Sequence, residues 1–589
     1  MNSFTRNMKK MVFAGGVALA AGVGLADFDI NIDLGAKPIR DASESTSKAL
    51  VGYAGCLCGR DGGDRQAFWF GENRAATSAA MRQAGAWFQR MWTANRWFEQ
   101  RKPNPYDPNS KDPKEVKRYK SYVQSRPDLV FPFWKENGFK ILFTLECWGD
   151  NQEKTAVEFV KWIVDNGYKD VVAGFEMGNE SYFSEHYPEL APRWKRVIDE
   201  LWKIWPKVPL GICLCELYEN NPDLTQVRSR MLAEGKIKKD GYFSASTFNQ
   251  NTTKFVVAMS NYMDRISHVI YHAYGAETPY SCSYYGFQRF RNYMSVMPEL
   301  KGKKMWLSEV RMRSDEDNWC QRQFREALIM GHYALTAICQ PDMDGYNQHE
   351  FASWSGGLLL SNGRQFDRQW RTGCWWSGYP DYRAPDGKSR IEVGPMGVMY
   401  RILAEGIKEY PVILQHGTSK EAGTEDTFFT SARVTDEVYR RRRAIREGKT
   451  AFLGLFGGVP EVKGEVEWVA LRKGAKHREN GMPMCLLMVN SKKEPETVTL
   501  RVKGHFFSVP AYQTVSCPDE FVDCSSIPGE AHPWKEMAWE DSQQGGFNAV
   551  KMAMYDGIQP KNDVLKIKVG PHTVQAVTFW TRAVPKPKK

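Results

Sequence analysis

The chain has 589 residues, more than a single hydrophobic core usually supports, so the sequence predicts two domains. Its 80 Lys and Arg residues outnumber its 69 Asp and Glu residues and give a formal net charge of +11, which favours an anionic partner. Part of that excess lies in two local clusters, residues 440–446 and 586–589, and no nucleic-acid-binding motif accompanies it, so we exclude nucleic acid as a partner. The 12 cysteines form no CxxC or His/Cys ligand array, and we expect no metal and no other cofactor.

The N-terminus has the features of a signal peptide. Arg6, Lys9 and Lys10 precede an apolar run of small residues at positions 11–25, and Asp27 follows this run. The run is too short and too rich in glycine for a membrane-spanning helix, and no other stretch approaches the roughly 20 apolar residues that such a helix needs. We predict a signal peptide over residues 1–26 and a secreted or periplasmic protein without stable membrane insertion.

Residues 45–410 alternate apolar strand-like runs with longer stretches of helical periodicity. This order is typical of an α/β fold with parallel strands, and eight runs in succession predict a TIM (β/α)8 barrel. An open doubly wound sheet is the alternative, but the chain has neither a GxGxxG motif after a first strand nor a P-loop. The eight runs are residues 50–53, 86–92, 140–145, 171–175, 208–214, 268–272, 304–307 and 343–346.

Two longer polar intervals, residues 95–129 and 218–263, are expected to be insertions at the barrel rim that shape a cleft. Beyond residue 410 the helical stretches stop, and short β-rich runs with turn residues follow. Residues 411–585 are therefore predicted to form an antiparallel β-sandwich packed against the barrel. Its candidate strands are residues 452–456, 465–470, 485–490, 497–502 and 573–579.

Two of the predicted barrel strands end in a glutamate. Glu180 ends the stretch that begins at Gly174, and Glu309 ends the run that begins at Met305. The carboxyl ends of barrel strands meet at one rim, where barrel enzymes hold their catalytic groups. One protonated and one ionised carboxyl group are the minimum equipment for cleaving a glycosidic bond. The sequence therefore predicts Glu180 and Glu309 as a catalytic pair.

Other glutamates occupy comparable positions. Glu216, on the fifth predicted strand, is the alternative nucleophile. Glu146 and Glu176 also end or interrupt apolar runs, and we expect them to be structural, hydrogen-bonded carboxyl groups near the site.

Residues at the ends of the second, fourth, sixth and seventh predicted strands form a set: Arg90, Asn179, Glu180, His272, Tyr274, Ser308 and Glu309. This set resembles clan A of the retaining glycoside hydrolases. Within that clan, the motif Glu176-Met-Gly-Asn-Glu180 and the trailing β-sandwich are similar to the branch that holds β-xylosidases and iduronidases, arabinofuranosidases and heparanase-like glucuronidases. The resemblance implies that Glu180 is the acid/base, that Asn179 binds the sugar 2-hydroxyl, and that Glu309 is the nucleophile.

The resemblance also implies roles for three neighbours. Arg90 would hold the nucleophile ionised, and Tyr274 or His272 would touch the nucleophile from the sixth strand. From the residues alone, Arg90 could instead pair with a structural carboxylate, and His272 could be a satisfied core histidine.

Further side chains near strand ends are candidates for sugar contacts, because aromatic faces stack on the apolar side of pyranose rings and polar groups bind hydroxyls. The polar candidates are Asn151, Asp344, Asn347 and His349, and the aromatic ones are Trp148, Trp354 and Trp375.

Together these features predict an exported retaining glycoside hydrolase that cleaves β-glycosidic bonds in a polysaccharide or oligosaccharide. The net charge and the nearby Arg311 and Arg313 make an anionic substrate conceivable, and neutral glycans are equally open. A catalytically silent carbohydrate-binding or envelope protein on the same barrel is the alternative. A serine esterase is disfavoured because no GxSxG motif occurs.

Overall fold

A computed structural model describes residues 26–48, 50–54, 78, 81–82, 84–92, 94–101, 104–116, 119, 126–149, 151–214, 247–275, 294, 297–312, 324–349, 359–361, 391–393, 395–419, 466–474, 482–492, 494–507, 511–516, 531–532, 535–536, 551–556 and 563–583. Residues 1–25 of the predicted signal peptide and the candidates Glu216, Trp354 and Trp375 lie outside these residues, whereas Ala26, the last residue of the predicted peptide, begins the first strand. Only the backbone is described at Tyr274 and His349.

The strands are β1 (Ala26–Ile32), β2 (Arg40–Asp41), β3 (Val51–Ala54), β4 (Phe88–Met91), β5 (Lys140–Leu145), β6 (Val172–Met177), β7 (Leu210–Leu214), β8 (His268–Gly275), β9 (Lys304–Met312), β10 (Met343–His349), β11 (Leu359–Ser361), β12 (Ile391–Val393), β13 (Val412–Thr418), β14 (Val466–Arg472), β15 (Met482–Asn490), β16 (Glu496–Val502), β17 (His505–Phe507), β18 (Ala511–Ser516), β19 (Ala531–His532), β20 (Lys535–Glu536), β21 (Lys551–Asp556), β22 (Val564–Val569) and β23 (Thr573–Ala583). The α-helices are α1 (Ala94–Phe98), α2 (Pro127–Asn137), α3 (Gln152–Asp165), α4 (Ala191–Ile204), α5 (Thr247–Ala258), α6 (Phe324–Ile338) and α7 (Pro395–Glu409). Short 3₁₀ helices span Ala42–Glu44, Glu99–Arg101, Lys169–Val171, Ser181–Phe183, Tyr187–Leu190, Ser260–Arg265 and Pro298–Leu300.

Strands β3 to β10 form a closed barrel in which every neighbouring pair is parallel. All eight strands predicted from the sequence are present, and the predicted barrel is confirmed. Every residue of β6 and β7 is buried, because helices cover the outer face of the barrel and side chains fill its interior. The apolar runs read from the sequence are thus buried on both faces.

Two large aromatic side chains fill the middle of the barrel. Phe88 and Trp306 project inward, and the facing positions on other strands are glycines. A Cβ atom at Gly345 would lie 2.5 Å from the Phe88 ring, one at Gly211 would lie 2.9 Å from the Trp306 ring, and one at Gly174 would overlap that ring. These glycines are required because two rings occupy the space that several smaller side chains fill in an ordinary barrel layer.

Asp344 lies at the opposite end of the barrel from the predicted site. Its carboxylate accepts hydrogen bonds from the backbone amide and hydroxyl of Thr46, and it lies 3.0 Å from His268 Nε2 at the start of β8. Burial raises the pKa of Asp344, but the bonds from His268 and Thr46 and the nearby Lys304 outweigh it and hold the pKa well below its ordinary value. The prediction that Asp344 lines a sugar pocket is therefore wrong, and its role is to close the bottom of the barrel.

The C-terminal strands form two facing sheets. One contains β1, β16 and β22, and the other runs β2-β13-β14-β15-β23-β18-β21. Apolar residues from both sheets form a shared core, among them Ile30, Leu500 and Leu486. The pairings are antiparallel except that β1 runs parallel to β16, so a segment from the N-terminus completes the sandwich. No element was predicted for this segment from the sequence.

Helices α6 and α7 pack against the larger sheet, and one apolar cluster continues from the barrel into β14, β15 and β23. At this boundary the buried Glu467 of β14 accepts hydrogen bonds from His332 and Thr336 of α6 and pairs with His416 of β13 at 2.6 Å. Burial raises the pKa of Glu467, but the bonds with the two histidines outweigh it and lower the pKa to about 2. The expected packing of sandwich on barrel is thus present. None of the helices in the described segments has the length and apolar character of a membrane span.

Candidate active site

A layer of polar side chains lies next to the layer of Phe88 and Trp306, towards the carboxyl ends of the strands. Each of these side chains is two residues after Phe88 or after one of the three glycines. This spacing follows from the two-residue period of a strand, which returns a side chain to the same face. The residues are Arg90 on β4, Glu176 on β6, Cys213 on β7 and Asn347 on β10, and all four are buried.

Arg90 is the centre of this layer. Its Nη1 donates to Glu309 Oε1 at 2.5 Å, its Nη2 donates to Asn179 Oδ1 at 2.6 Å, and its Nε donates to Glu176 Oε2 at 2.7 Å. Burial lowers the pKa of Arg90, but the charges of Glu176 and Glu309 outweigh it and raise the pKa above its ordinary value. Arg90 therefore stays charged and contacts both the expected nucleophile and a structural carboxylate.

Glu180 sits in a strained turn directly after β6. Its backbone has φ 46° and ψ 32°, in the left-handed region that non-glycine residues rarely adopt, and Gly178 has φ 87°. A Cβ atom at Gly178 would overlap the Ser181 hydroxyl. Asn251 of α5 holds the turn by donating to two of its carbonyl oxygens, each at 3.1 Å. The turn directs the Glu180 carboxyl away from the line of β6. In this position 26% of the Glu180 side chain is exposed.

His272, on β8, joins the two predicted catalytic glutamates. Its Nδ1 lies 2.9 Å from Glu180 Oε1 and 3.7 Å from Glu309 Oε2, and its Nε2 lies 3.0 Å from the Ser308 hydroxyl. Burial lowers the pKa of His272, but the charge of Glu309 and the bond with Glu180 outweigh it and raise the pKa above its ordinary value. His272 is thus a buried group of the site itself.

One carboxylate oxygen of Glu180, one of Glu309 and one nitrogen of His272 lie within 4.8 Å of one another. Within the described part of the chain, this is the one cluster of His, Cys, Asp and Glu compact enough to hold a metal ion. Arg90 places a positive charge against Glu309, which opposes a second cation there. The arrangement therefore suits proton transfer and nucleophilic attack better than metal binding.

Glu176 and Glu146 differ in how they are held. Glu176 Oε2 accepts from Thr144 Oγ1 at 2.5 Å as well as from Arg90, whereas its Oε1 is buried without a hydrogen-bond partner. Glu146 is partly buried, and its backbone amide and carbonyl both bond to the side chain of Asn95. Glu176 belongs to the central network, and Glu146 lies beside it.

The structure places the expected sugar-binding residues unevenly. Trp148 is near the turn that carries Glu180, with its Nε1 3.4 Å from the Ser181 hydroxyl. Asn151 is an exposed N-cap residue of α3, and among the described residues it makes no contact with the carboxyl pair. Tyr274 and His349 lie at the carboxyl ends of β8 and β10, as expected for rim residues.

Asn347 is fully buried, and neither its Oδ1 nor its Nδ2 has a hydrogen-bond partner. Leaving a buried amide unsatisfied costs roughly 1–3 kcal/mol, so this side chain needs a water molecule or a ligand. A sugar hydroxyl can donate to one amide atom and accept from the other.

Two aromatic residues that follow Glu180 were not among the site residues predicted from the sequence. The Tyr182 hydroxyl lies 3.5 Å from Glu180 Oε1, and Phe183 is 48% exposed, which is unusual for so large an apolar side chain. Their position just after Glu180 was the available signal.

Comparison with protein-family models finds no match to this sequence, and comparison with curated proteins finds none either. Solved structures do match. The α-L-arabinofuranosidase of Thermotoga maritima, in complex with arabinose, is 11% identical with a TM-score of 0.53, covering 93% of this chain and 98% of that chain. The family 51 α-L-arabinofuranosidase of Bifidobacterium longum gives the same identity, TM-score and coverages, and the enzyme of Thermotoga petrophila RKU-1 differs only in that 99% of its chain is covered. At this identity the likeness shows a shared fold, and it confirms the predicted architecture of barrel and C-terminal sandwich, the one expected from the clan A resemblance.

Proposed function

We propose that this protein is a retaining glycoside hydrolase acting on a polysaccharide or oligosaccharide. The observation that carries the proposal is the network in which Arg90 holds Glu309 and Asn179 while His272 links Glu309 to Glu180. Retaining enzymes place their carboxyl groups about 5–5.5 Å apart, and inverting enzymes leave about 6.5–9.5 Å for a water molecule. One oxygen of Glu180 and one of Glu309 lie within 4.8 Å of each other, which is compatible with the shorter separation of retaining enzymes.

The roles follow from burial and contacts. Glu309 is 3% exposed and bonded to a guanidinium, which favours its ionised form and suits the nucleophile. Glu180 is the more accessible carboxyl, which suits the group that protonates a leaving oxygen and later activates water. Attack by Glu309 forms the covalent glycosyl intermediate, and water activated by Glu180 releases the sugar with its anomeric configuration retained.

Asn179 has a defined way to bind the sugar. Its Oδ1 already accepts a hydrogen bond from Arg90 Nη2, so the Asn179 Nδ2 is the atom that would donate to a sugar hydroxyl. Asn347 offers a second, fully buried amide with both atoms unused. These two amides support a polar pocket for one sugar ring around the anomeric carbon.

The acid/base also marks the side of the leaving group, because it protonates the oxygen that joins the two sugars. Phe183 is 48% exposed, and its ring centroid lies 4.8 Å from that of Tyr182, whose hydroxyl is 3.5 Å from Glu180 Oε1, so we place Phe183 on that side. Its ring is suited to stack on the apolar face of the departing sugar.

The substrate is proposed in two classes. The sequence points to β-glycosides, and the fold neighbours named as α-L-arabinofuranosidases add α-L-arabinofuranosides. Anionic glycans are included because of the +11 charge, and export is proposed from the N-terminal sequence.

The test is hydrolysis by the chain from Asp27 onward across neutral and anionic polysaccharides and arabinofuranosides, beside the Glu180→Gln and Glu309→Gln variants. Sugar release by the parent and by neither variant supports the proposal. Release that persists in Glu309→Gln contradicts the assigned nucleophile. Binding of a glycan without turnover by the parent favours the alternative, a silent carbohydrate-binding protein.

A further inference from the structure

Arg90 lies between two buried carboxylates. Its Nη1 donates to Glu309 at 2.5 Å, and its opposite edge, Nε and Nη2, contacts a single oxygen of Glu176 at 2.7 and 2.6 Å. Glu176 is fully buried and Glu309 is 3% exposed. One guanidinium charge is therefore divided between two carboxylates that water does not screen.

We infer that Glu176 is a positioning residue that fixes the orientation of Arg90 and, by sharing its charge, limits how strongly the nucleophile Glu309 is stabilised as an anion. This inference rests on the proposed function. A carboxylate held too firmly by a full positive charge is a weaker nucleophile, since its electron pair is already engaged.

The orientation follows from the shape of the guanidinium. Its donors form a rigid planar fork, so a bond along the Nε–Nη2 edge sets the direction of Nη1. The edge held by Glu176 points Nη1 at Glu309 and leaves Nη2 within 2.6 Å of Asn179. Glu176 thus aligns two residues of the site through Arg90.

Two further described neighbours of Glu176, besides Arg90, carry no charge. The Thr144 hydroxyl donates to its Oε2 from β5, and the Cys213 thiol faces it from β7. Burial raises the pKa of Cys213 well above its ordinary value, so this thiol stays neutral. Among the described residues, His272 and Glu180 also lie near Glu309, and both belong to the proposed chemistry. Glu176 is therefore the negative charge that can be removed while those groups stay in place.

The experiment is the pH profile of kcat/KM for Glu176→Gln, measured with the glycan that the parent cleaves. Glutamine keeps the side-chain shape and an accepting oxygen but removes the charge. Arg90 then stabilises the Glu309 anion more strongly, the pKa of Glu309 falls, and the acidic limb moves to lower pH by about one unit or more. We also expect kcat/KM at the optimum to fall several-fold.

Thr144→Val is the matched control, because it removes a neutral bond to the same Glu176 oxygen and should leave the acidic limb in place. An unmoved limb in folded Glu176→Gln overturns the inference, and so does an equal shift in Thr144→Val. If Glu176→Gln does not fold, Glu176→Asp withdraws the charge from Arg90 and should give a smaller shift in the same direction; no shift there overturns the inference as well. If the parent cleaves no glycan, that result refutes the proposed function, and the inference is refuted together with it.

Discussion

Replacing Arg90 with methionine should damage both the fold and the proposed chemistry. The guanidinium makes four contacts of 2.5–2.7 Å to three side chains, and two of those side chains are buried carboxylates. Breaking a buried ion pair by removing one partner typically costs about 3–5 kcal/mol, because the remaining charge is left uncompensated. Since total stability is about 5–15 kcal/mol, we expect a large fall in the midpoint of urea unfolding.

In the fraction that stays folded, hydrolysis should fall by at least about a hundredfold, the scale seen when one preorganised electrostatic partner of a reacting charge is lost. Arg196→Met is the matched control, because Arg196 makes a bidentate pair with Glu153 on the surface and exposed pairs contribute little. The reasoning is refuted if Arg90→Met unfolds at the same urea concentration as Arg196→Met, or if it retains the parent's rate.

Three further changes test other parts of the structure. Gly178→Ala forces a side chain into left-handed backbone and against Ser181, so Glu180 should be displaced and kcat should fall more than KM rises; a normal kcat contradicts the role of the turn. Glu467→Gln should lower the free energy of unfolding by up to about 3 kcal/mol at neutral pH. This magnitude follows from the difference between the folded-state pKa of Glu467, about 2, and its ordinary value of 4.5. Because the folded-state pKa of Glu467 is lowered, its contribution to stability is present above about pH 4.5 and is lost as pH falls towards 2. In urea unfolding, the stability difference between parent and variant should therefore be smaller at pH 3 than at pH 7. The same difference at both pH values contradicts this account of Glu467. Phe183→Ala should reduce kcat/KM for an oligosaccharide several-fold more than for a small aryl glycoside, whereas Trp580→Ala, equally exposed in the sandwich, should change neither.

The barrel could be predicted because its strands are short apolar runs, and burial on both faces makes such runs visible in a sequence. The same pattern placed Arg90 and the stretch before Glu180 near strand ends, and it placed Glu309 on β9, which continues beyond Glu309 to Met312. Asp344 was wrongly assigned to the sugar pocket. Its strand, β10, is only seven residues long, and the sequence pattern does not show which end of so short a strand a residue occupies. Its contact with Thr46 depends on a segment distant in sequence.

The sharing of Arg90 by Glu176 and Glu309 could not be predicted, because it depends on barrel closure, which brings β4, β6 and β9 to one layer. The strand Ala26–Ile32 was missed for a related reason. Its partner, β16, lies about 470 residues away in the chain, and Ala26 pairs with Glu496. Local patterns carry no information about such pairings.

The central claim is that Glu309 attacks the sugar while Glu180 serves as acid/base. It is tested most directly by incubating Glu180→Gln with an aryl glycoside of the sugar that the parent releases, chosen for a leaving group that needs no acid. Without the acid/base, release of the covalent intermediate slows, and mass spectrometry should find one sugar attached to the peptide that contains Glu309. A sugar attached to Glu216 or another residue contradicts the assigned nucleophile, and turnover to the inverted anomer without any adduct contradicts the retaining mechanism.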